Sequence, residues 1–536
     1  MMRFQTEDNK LKPALLIAFA TLWSMAPLSM AQAQNAAGNV ITPPPVIRFT
    51  VNAFVVSGQN PLSESTTQGV LAPYLGEHTG LEKLDQAAQA LENKLRQAGH
   101  SLHRVVIPPQ ETTGVVKLEI ATFTVGTLKV TGAKFFDEAN LRASVPSLQV
   151  GTSPDLLRVA QQLAIANESP AKQTVLALKE GEQPDTVDAT LEVRDQRTWN
   201  GLLLANNTGT LDTGRTRVTA ALQHNNLFNR DHSATLAYTS SPEKGQNVIQ
   251  YGAQYRAPVY SWGGVFNLAH SYSSVDSGSL GSGLNITGRG TVSSFGYVQQ
   301  LLPWGPYRSS LGLNIDDKLY RGITLLGVQL TPDVRSRPLT LNYTGRYEAA
   351  WGVWGFNADY VHNLNGGGSN NDPAYAANRV GATTKWESYR VGSDLAIFLP
   401  KNWMAVGKFR GQYTPDALIA GEQFGVGGAT TVRGLNERVL TGDRGTLGSV
   451  ELWTPPLFTN RLRFLAFVDQ ARVERRPAVA PLGVYETIQS VGGGLRLSLM
   501  RDLSFSLDYG KITQGALSPD IQNGTYKWHG AVQMKF

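Results

Sequence analysis

From residue 199 to 536 the chain breaks into segments of about ten residues in which apolar and polar side chains alternate, and Gly, Asn, Asp and Pro separate one segment from the next. A period of two puts alternate side chains on opposite faces of a strand. Repeated this often without a long apolar run, it is the signal of a transmembrane antiparallel β-barrel, apolar toward lipid and polar toward the lumen. The mean hydropathy of −0.19 is what such alternation gives. Segments begin near Trp199, Thr216, Ser233, Val248, Trp262, Gly288, Tyr307, Leu339, Trp351, Thr383 and Trp403, and after an interruption near Leu447, Leu462, Ile488, Leu503 and Tyr526. Eleven before and five after make about sixteen strands, an even number as closure requires in bacterial barrels. Trp262, Trp304, Trp351, Trp354, Trp386, Trp403, Trp453 and Trp528 fall near segment ends, as interface girdles do. Residues 273–290 and 363–378 are predicted as long extracellular segments, the second too polar and Gly-rich to be buried.

The interruption, residues 421–445 (GEQFGVGGATTVRGLNERVLTGDRG), fits no strand. Gly421, Gly425, Gly427, Gly428 and Gly434 let the backbone fold tightly against a neighbouring surface. A Gly-rich loop that cradles phosphate needs a helix N-terminus after it, whereas strand-like sequence lies on both sides here, which sets the nucleotide reading aside. At its centre stand Val432, Arg433, Gly434 and Leu435. An isolated arginine is ordinarily a solvated surface residue. However, residues 463–469 (RFLAFVD) alternate so that Phe464, Ala466 and Val468 share one face and Arg463, Leu465, Phe467 and Asp469 the other. If the first face meets lipid, Leu465 and Phe467 are apolar groups in a lumen that should be polar. Something should pack on them, and the Gly-rich loop is the candidate.

VRG-[LY] in a loop followed by F-x-D on the next strand but one resembles the motif pair of the two-partner secretion transporters. These are haemolysin and filamentous-haemagglutinin transporter-like outer-membrane barrels of the POTRA–barrel superfamily, related to the barrel-assembly insertases. The resemblance implies that the loop tucks into the barrel and that Arg433 pairs with Asp469 on the strand carrying Phe467. In the last segment Trp528, Gly530, Val532, Met534 and Phe536 share one face and His529, Gln533 and Lys535 the other. Its aromatic carboxyl terminus resembles the signal by which barrel-assembly machinery recognises a barrel for insertion. Trp528, Val532, Met534 and Phe536 would carry that signal, the plainer alternative being a strand that ends at an interface aromatic.

Ahead of the barrel, residues 1–33 place Lys10 and Lys12 before an apolar stretch at 13–28 and end in Ala31-Gln32-Ala33, the features of a cleaved export signal. Residues 34–45 close in Pro43-Pro44-Pro45 and read as a linker, with little room for the N-terminal plug helix that this family's transporters often carry. Phe49, Val51, Ala53 and Val55 alternate as a strand; Leu81, Leu84, Ala88, Leu91 and Leu95 keep helical spacing, with Thr79-Gly-Leu-Glu82 as a capping box and Gly99 at the exit. Residues 102–107 and 115–124 read as two further strands. The same order then recurs, with strands at 127–130, 173–179 and 186–193, a short helix at 137–144, and a second helix opening at Ser153-Pro154 with Ser as its cap. The repeat, with the phrase VVIPPQETTGVVKLEIATFTVGTLKVTG at its junction, resembles paired POTRA domains. The expected organisation is therefore two periplasmic α+β POTRA domains, 46–124 and 125–195, followed by a barrel over 196–536 with the inserted loop 421–445.

The chemistry that the chain lacks narrows the function. With no Cys and eight scattered His, it offers neither thiolate sites nor metal-ligand spacing, and no nucleophile motif stands in a strand-turn-helix setting. No catalytic residue, cofactor or metal is therefore predicted. A net charge of +6 from interspersed signs is no nucleic-acid footprint. The resemblance implies an outer-membrane transporter in a Gram-negative cell, monomeric and lipid-embedded. It would recognise a TpsA-type exoprotein through its POTRA domains and pass it unfolded to the surface. Lys408, Arg410, Gln412 and Arg496 would keep the passing chain hydrated, or line a porin. An insertase and a passive channel are the alternatives.

Overall fold

The computed structural model describes residues 48–111, 113–275, 277–279, 285–287, 289–322, 324–325, 328–476, 485–500, 502–519 and 521–536. The export signal, the Pro-rich linker and parts of the segment 273–290 lie outside the described residues.

Sixteen wall strands close into one antiparallel barrel. In chain order they are Trp199–Asn206, Arg217–Leu227, His232–Ser240, Gln250–Val259, Gly264–Ser273, Gly290–Gln300, Tyr307–Tyr320, Pro338–Ala349 with its outer piece Val334–Ser336, Gly352–Asn363, Glu387–Phe398, Met404–Tyr413, Arg444–Trp453, Leu462–Glu474, Tyr485–Ser498, Leu503–Gln514 and Tyr526–Lys535. The loop follows the eleventh strand. In the thirteenth, Leu462–Glu474, buried and exposed residues alternate without a break from Phe464 to Val473, so side-chain period and wall geometry agree. Closure joins Leu202–Asn206 of the first strand to Ala531–Lys535 of the last. At one end Phe536 and Gly201 exchange both main-chain bonds, 2.7 and 3.1 Å. At the other, the Asn207 side-chain amide donates to Trp528 O (2.7 Å) and accepts from Gly530 N (3.0 Å), continuing the ladder with a side chain.

Before the barrel come two three-stranded sheets of the same order and sense. Ala53–Gly58 runs parallel to the central Val115–Thr122, with His103–Val106 antiparallel on its other side. Thr124–Thr131, Thr186–Asp195 and Lys172–Glu180 repeat that arrangement. Helix Glu82–Gln97 buries Leu84, Ala88, Leu91 and Leu95 on the first sheet.

Several expectations are corrected. Leu81 is exposed and caps its helix without a side-chain bond, because Thr79 belongs to a strand, Gly76–Thr79, paired with Arg48–Val51. Cross-strand pairing removes the proposed capping box. The alternation through Phe49 and Val55 breaks at Asn52, after which Phe54 is buried and Val55 exposed. Helix Leu156–Ala166 is capped by Asp155, whose Oδ1 accepts from Leu157 N and Arg158 N, not by Ser153. Residues 363–378 are not uniformly exposed: they carry a helix, Asp372–Asn378, capped by Asn371, and Tyr375 is fully buried among Val334, Val361, Trp386, Leu418 and Ile419. Trp386 belongs to that cluster and Trp453 to another inside the wall, so neither is a girdle residue.

The second sheet is bolted to the barrel's short turns. Lys172 Nζ meets Asp231 Oδ2 at 2.6 Å with both side chains fully buried. Asn140 Oδ1 accepts from the same ammonium (3.0 Å), its Nδ2 donates to Asp231 Oδ1 (3.0 Å), and Tyr260 OH donates to Asp231 Oδ2 (2.5 Å). Burial pushes the Lys172 ammonium below its ordinary range and the Asp231 carboxylate pulls it back. Lys172→Met should therefore leave Asp231 buried and unpaired, weakening the clasp by about 3–5 kcal/mol. The expected sign is faster trypsin cleavage at the exposed linker residue Arg197. Adding Asp231→Leu should slow it again.

Candidate functional site

The loop leaves the wall after Tyr413, forms a short ribbon in which Phe424–Val426 pairs with Leu440–Gly442, and returns at Arg444. Its tip, 427–439, lies inside the barrel. Val432 and Leu435 are buried with Val426 and Leu440 from the ribbon, and with Leu447, Ala471, Val473, Ile488 and Ile512 from the inner wall. This cluster explains apolar residues at lumen positions: burial of each such side chain contributes about 1.5–3 kcal/mol.

Arg433 is 4% exposed and its fork is fully committed. Nε donates to Asp469 Oδ2 at 2.8 Å and Nη2 to Asp469 Oδ1 at 2.6 Å, a bidentate pair, while Arg433 N donates to Oδ2 at 3.1 Å. Ser449 Oγ completes the Asp469 shell at 2.7 Å. Nη1 meets Glu451 Oε1 at 2.9 Å, and Glu451 also holds Lys408 Nζ (3.2 Å) and accepts from Trp453 Nε1 (2.9 Å). The guanidinium plane lies 3.4 Å from the centroid of the Phe467 ring, a cation–π contact. Phe467 is thus the platform for Arg433. Leu465 is not: its cluster consists of Ala396, Met404, Val406, Trp453 and Phe467, all from the wall.

Gly434 takes φ 102°, and a Cβ there would stand 2.8 Å from Gly510 O. Conversely, a Cβ on Gly510 would stand 2.5 Å from Arg433 C. Two glycines are therefore needed for loop backbone to lie on wall backbone. Gly434 N then donates to His529 Nε2 (3.0 Å) on the last strand, and Lys527 Nζ reaches Asn436 Oδ1 (2.6 Å). Trp528, Val532, Met534 and Phe536 are on the opposite, exposed face of that strand and do not touch the loop.

Two more buried carboxylates hold the loop's roots. Glu422 is met by Lys318 Nζ (3.2 Å), Arg390 Nη2 (3.2 Å), Tyr320 OH (3.1 Å) and Ser336 Oγ (3.2 Å). Asp443 takes the Arg379 fork at 2.6 and 2.6 Å and accepts from Leu418 N and Arg476 N. Arg379 follows helix Asp372–Asn378, so this pair ties the neighbouring loop to the same root. Sequence reasoning singled out none of Ser449, Glu451, His529, Glu422, Asp443 or Arg379. For Ser449 and Glu451 a signal was present: they share the parity of Trp453 on the strand beside Asp469. Of the predicted lining residues, Lys408 is paired with Glu451, Arg410 with Asp394 and Arg496 with Asp508, while Gln412 is buried and donates to Glu422 O and Asp443 O. They brace the loop and wall.

A closed sixteen-strand barrel with a loop latched across its lumen and small mixed sheets at its turns defines an outer-membrane barrel of the protein-translocating class. The family model described as haemolysin secretion/activation protein ShlB/FhaC/HecB matches residues 186–497, and one described as POTRA domain, ShlB-type, matches residues 49–122. The chain is similar to the outer membrane transporter CdiB of Dickeya dadantii, 23% identical over 446 residues, covering 78% of this chain and 75% of that one. It is similar also to the heme/hemopexin transporter protein HuxB of Haemophilus influenzae, 20% identical over 449 residues, covering 80% and 77%. Among solved structures, CdiB from Escherichia coli superposes with a TM-score of 0.78 over 93% of both chains at 18% identity. CdiB from Acinetobacter baumannii gives 0.70 over 93% and 91%, also at 18%. The chain belongs to the ShlB/FhaC/HecB family. It is a two-partner secretion transporter of the outer membrane, with its POTRA region in the periplasm.

Removing the Arg433 fork strands Asp469 and draws Glu451 back onto Lys408, whereas removing Asp469 leaves Arg433 its Glu451 contact. Arg433→Ala should therefore loosen the tip by about 3–5 kcal/mol and Asp469→Ala by less. The double variant should fall well short of additive. Arg433→Lys should restore only part, lacking the planar fork. Because the chain has no cysteine, Leu435→Cys is a clean reporter: maleimide labelling of this buried position should speed up in that order.

Independently of charge, Gly510→Ala should release the same tip at about 1–3 kcal/mol by overlap with Arg433 backbone. Unchanged labelling in this variant would mean the loop does not rest on that strand.

Proposed function

We propose that this transporter captures a partner exoprotein in the periplasm through two POTRA domains, 46–124 and 125–195, and passes it outward through the barrel as an extended chain. The observation that carries the reading is the latched loop. It fills lumen space next to the wall with buried ion pairs beside an apolar contact through Val432 and Leu435, and a translocating chain displaces it while the ladder of the wall itself stays closed. The second domain is bolted to the barrel turns by Lys172 and Asp231, which supports a capture role beside the barrel. Small sheets with open edges recruit extended chains by strand addition, main-chain bonds supplying affinity.

No nucleotide-binding motif is present in the sequence, so the work comes from the passenger. Folding outside buries apolar surface and makes return unfavourable. We read the transporter as a monomer; its barrel closes on its own strands and needs no second copy to complete the wall. Its last strand, with Trp528, Val532, Met534 and Phe536 on the outer face, serves the barrel-assembly machinery as the insertion signal.

Deleting residues 46–195 should abolish appearance of the exoprotein in the medium while the barrel, assayed by heat-modifiable migration, persists in the outer membrane. Secretion at an undiminished level from that truncated barrel would overturn the reading.

A further inference from the structure

The second small sheet ends on strand Lys172–Glu180, paired on one side only, with Thr186–Asp195. Its other edge differs from the remaining sheet edges. Thr124–Thr131 carries a register shift at its start, and Val125 exchanges bonds there with Thr152 O (2.9 Å) and Gly151 N (2.8 Å). His103–Val106 has four residues, and Glu92 Oε2 already accepts from Val105 N at 3.3 Å. Ala53–Gly58 has six. Lys172–Glu180 has nine, without a bulge.

One position of this edge is occupied, by a side chain. Asn167 Oδ1 accepts from Thr174 N at 2.7 Å and its Nδ2 donates to Thr174 O at 2.9 Å, so the carboxamide takes the place of a peptide group of a next strand. The same contact fixes parity. Thr174 turns both main-chain groups outward, and in an unbroken antiparallel register so do Leu176, Leu178 and Glu180. Gln173, Val175, Ala177 and Lys179 face the central strand with theirs. Leu176 and Leu178 are half-buried against the domain core, so a strand added beside them would find apolar neighbours on one face and solvent on the other.

Lys172, the first residue of this strand, is the buried partner of Asp231 at the barrel rim. The edge therefore starts at the rim and leads away from it.

We propose that Leu176–Leu178–Glu180 is the docking edge for an extended segment of the exported polypeptide, and that Asn167 is a stop that prevents pairing from continuing to Thr174 at the rim. This rests on the capture role proposed above and specifies where, and in what register, capture occurs. A chain that paired all the way to the rim would gain bonds it must break to enter the lumen. The stop caps the ladder at about three outward residues, and so keeps the number of main-chain bonds small and capture reversible.

The test uses the full-length transporter and, as probe, the exoprotein whose appearance in the medium depends on it. Leu178→Pro removes an outward N–H without touching the central ladder, as edge prolines do. Secretion should fall about tenfold, the worth of a lost bond and a steric block, with the Arg197 cleavage rate unchanged. Ala177→Pro, whose N–H faces Thr190, should instead speed that cleavage, which separates an edge effect from unfolding. A photo-crosslinking residue at Lys179 should capture the exoprotein in the otherwise native chain. At Gln173, roughly 20 Å nearer the rim, capture should occur only after Asn167→Ala. Full secretion by Leu178→Pro, or crosslinks from Ala53–Gly58 and none from Lys179, would overturn the edge assignment while leaving capture by the domains intact. Equal capture at Gln173 with Asn167 present would overturn the stop.

Discussion

A wall that crosses a bilayer must satisfy every backbone N–H and C=O within itself, because hydrocarbon offers no partner. For strands, the solution is a closed ladder, and sixteen of them enclose more space than their inward side chains can fill. The rest of the structure follows from that surplus. A loop enters the lumen, and to remain there it must offer the wall both apolar surface and charge. Val432 and Leu435 supply the first and Arg433 the second. Since the loop is tethered at both ends to neighbouring strands, the chain entropy lost on docking it is modest, and a limited set of anchors suffices.

Those anchors are buried ions, an expensive choice where stability alone is concerned. Desolvating a carboxylate and a guanidinium costs several kcal/mol, which mutual attraction offsets only when geometry is good and the remaining lone pairs are met. Asp469 meets that condition with four donors, Arg433 N, Nε and Nη2 of the Arg433 fork, and Ser449 Oγ. Glu422 and Asp443 meet it at the loop's roots. A wholly apolar plug of the same volume would pack without these penalties, but leaving it would expose its entire surface to a wet lumen. Here that exposure is limited to the cluster around Val432 and Leu435, while the ionic groups exchange their partners for water on release. The chemistry of the anchors thus matches a loop that must both stay and yield.

How much of this was legible in the sequence depends on whether the signal is periodic. Period-two alternation runs through whole strands, so sixteen strands and the loop after the eleventh could be read directly. The parity of RFLAFVD likewise put Phe467 and Asp469 on the lumen face. What was illegible depends on contacts between distant segments. Glu451, Ser449 and His529 look like any polar lumen residue until Arg433 is brought beside them. Thr79 matches a capping box locally, yet pairing with Arg48 makes it a strand end. Tyr375 is buried within a segment whose average polarity says otherwise, because average polarity does not register a short helix capped by Asn371.

The barrel's closure shows how the same lumen loop bears on the wall. Strand Tyr526–Lys535 pairs with Trp199–Asn206 through five residues, fewer than any other pair of neighbouring wall strands. Two devices lengthen the seam without lengthening the first strand: Phe536 reaches Gly201, and Asn207 spends its amide on Trp528 and Gly530. Directly across from that amide, on the lumen side of the same strand, His529 accepts from Gly434 and Lys527 holds Asn436. The strand with the shortest ladder is therefore also braced by the loop tip, from within. Lifting the tip to make way for a passing chain removes both of these inner contacts at once. The outer devices remain, bonds of main-chain and amide groups that lie in the wall itself. Asn207 and Phe536 thus let the lumen empty while the wall stays shut, because the bonds that close the seam are separate from the bonds that hold the loop.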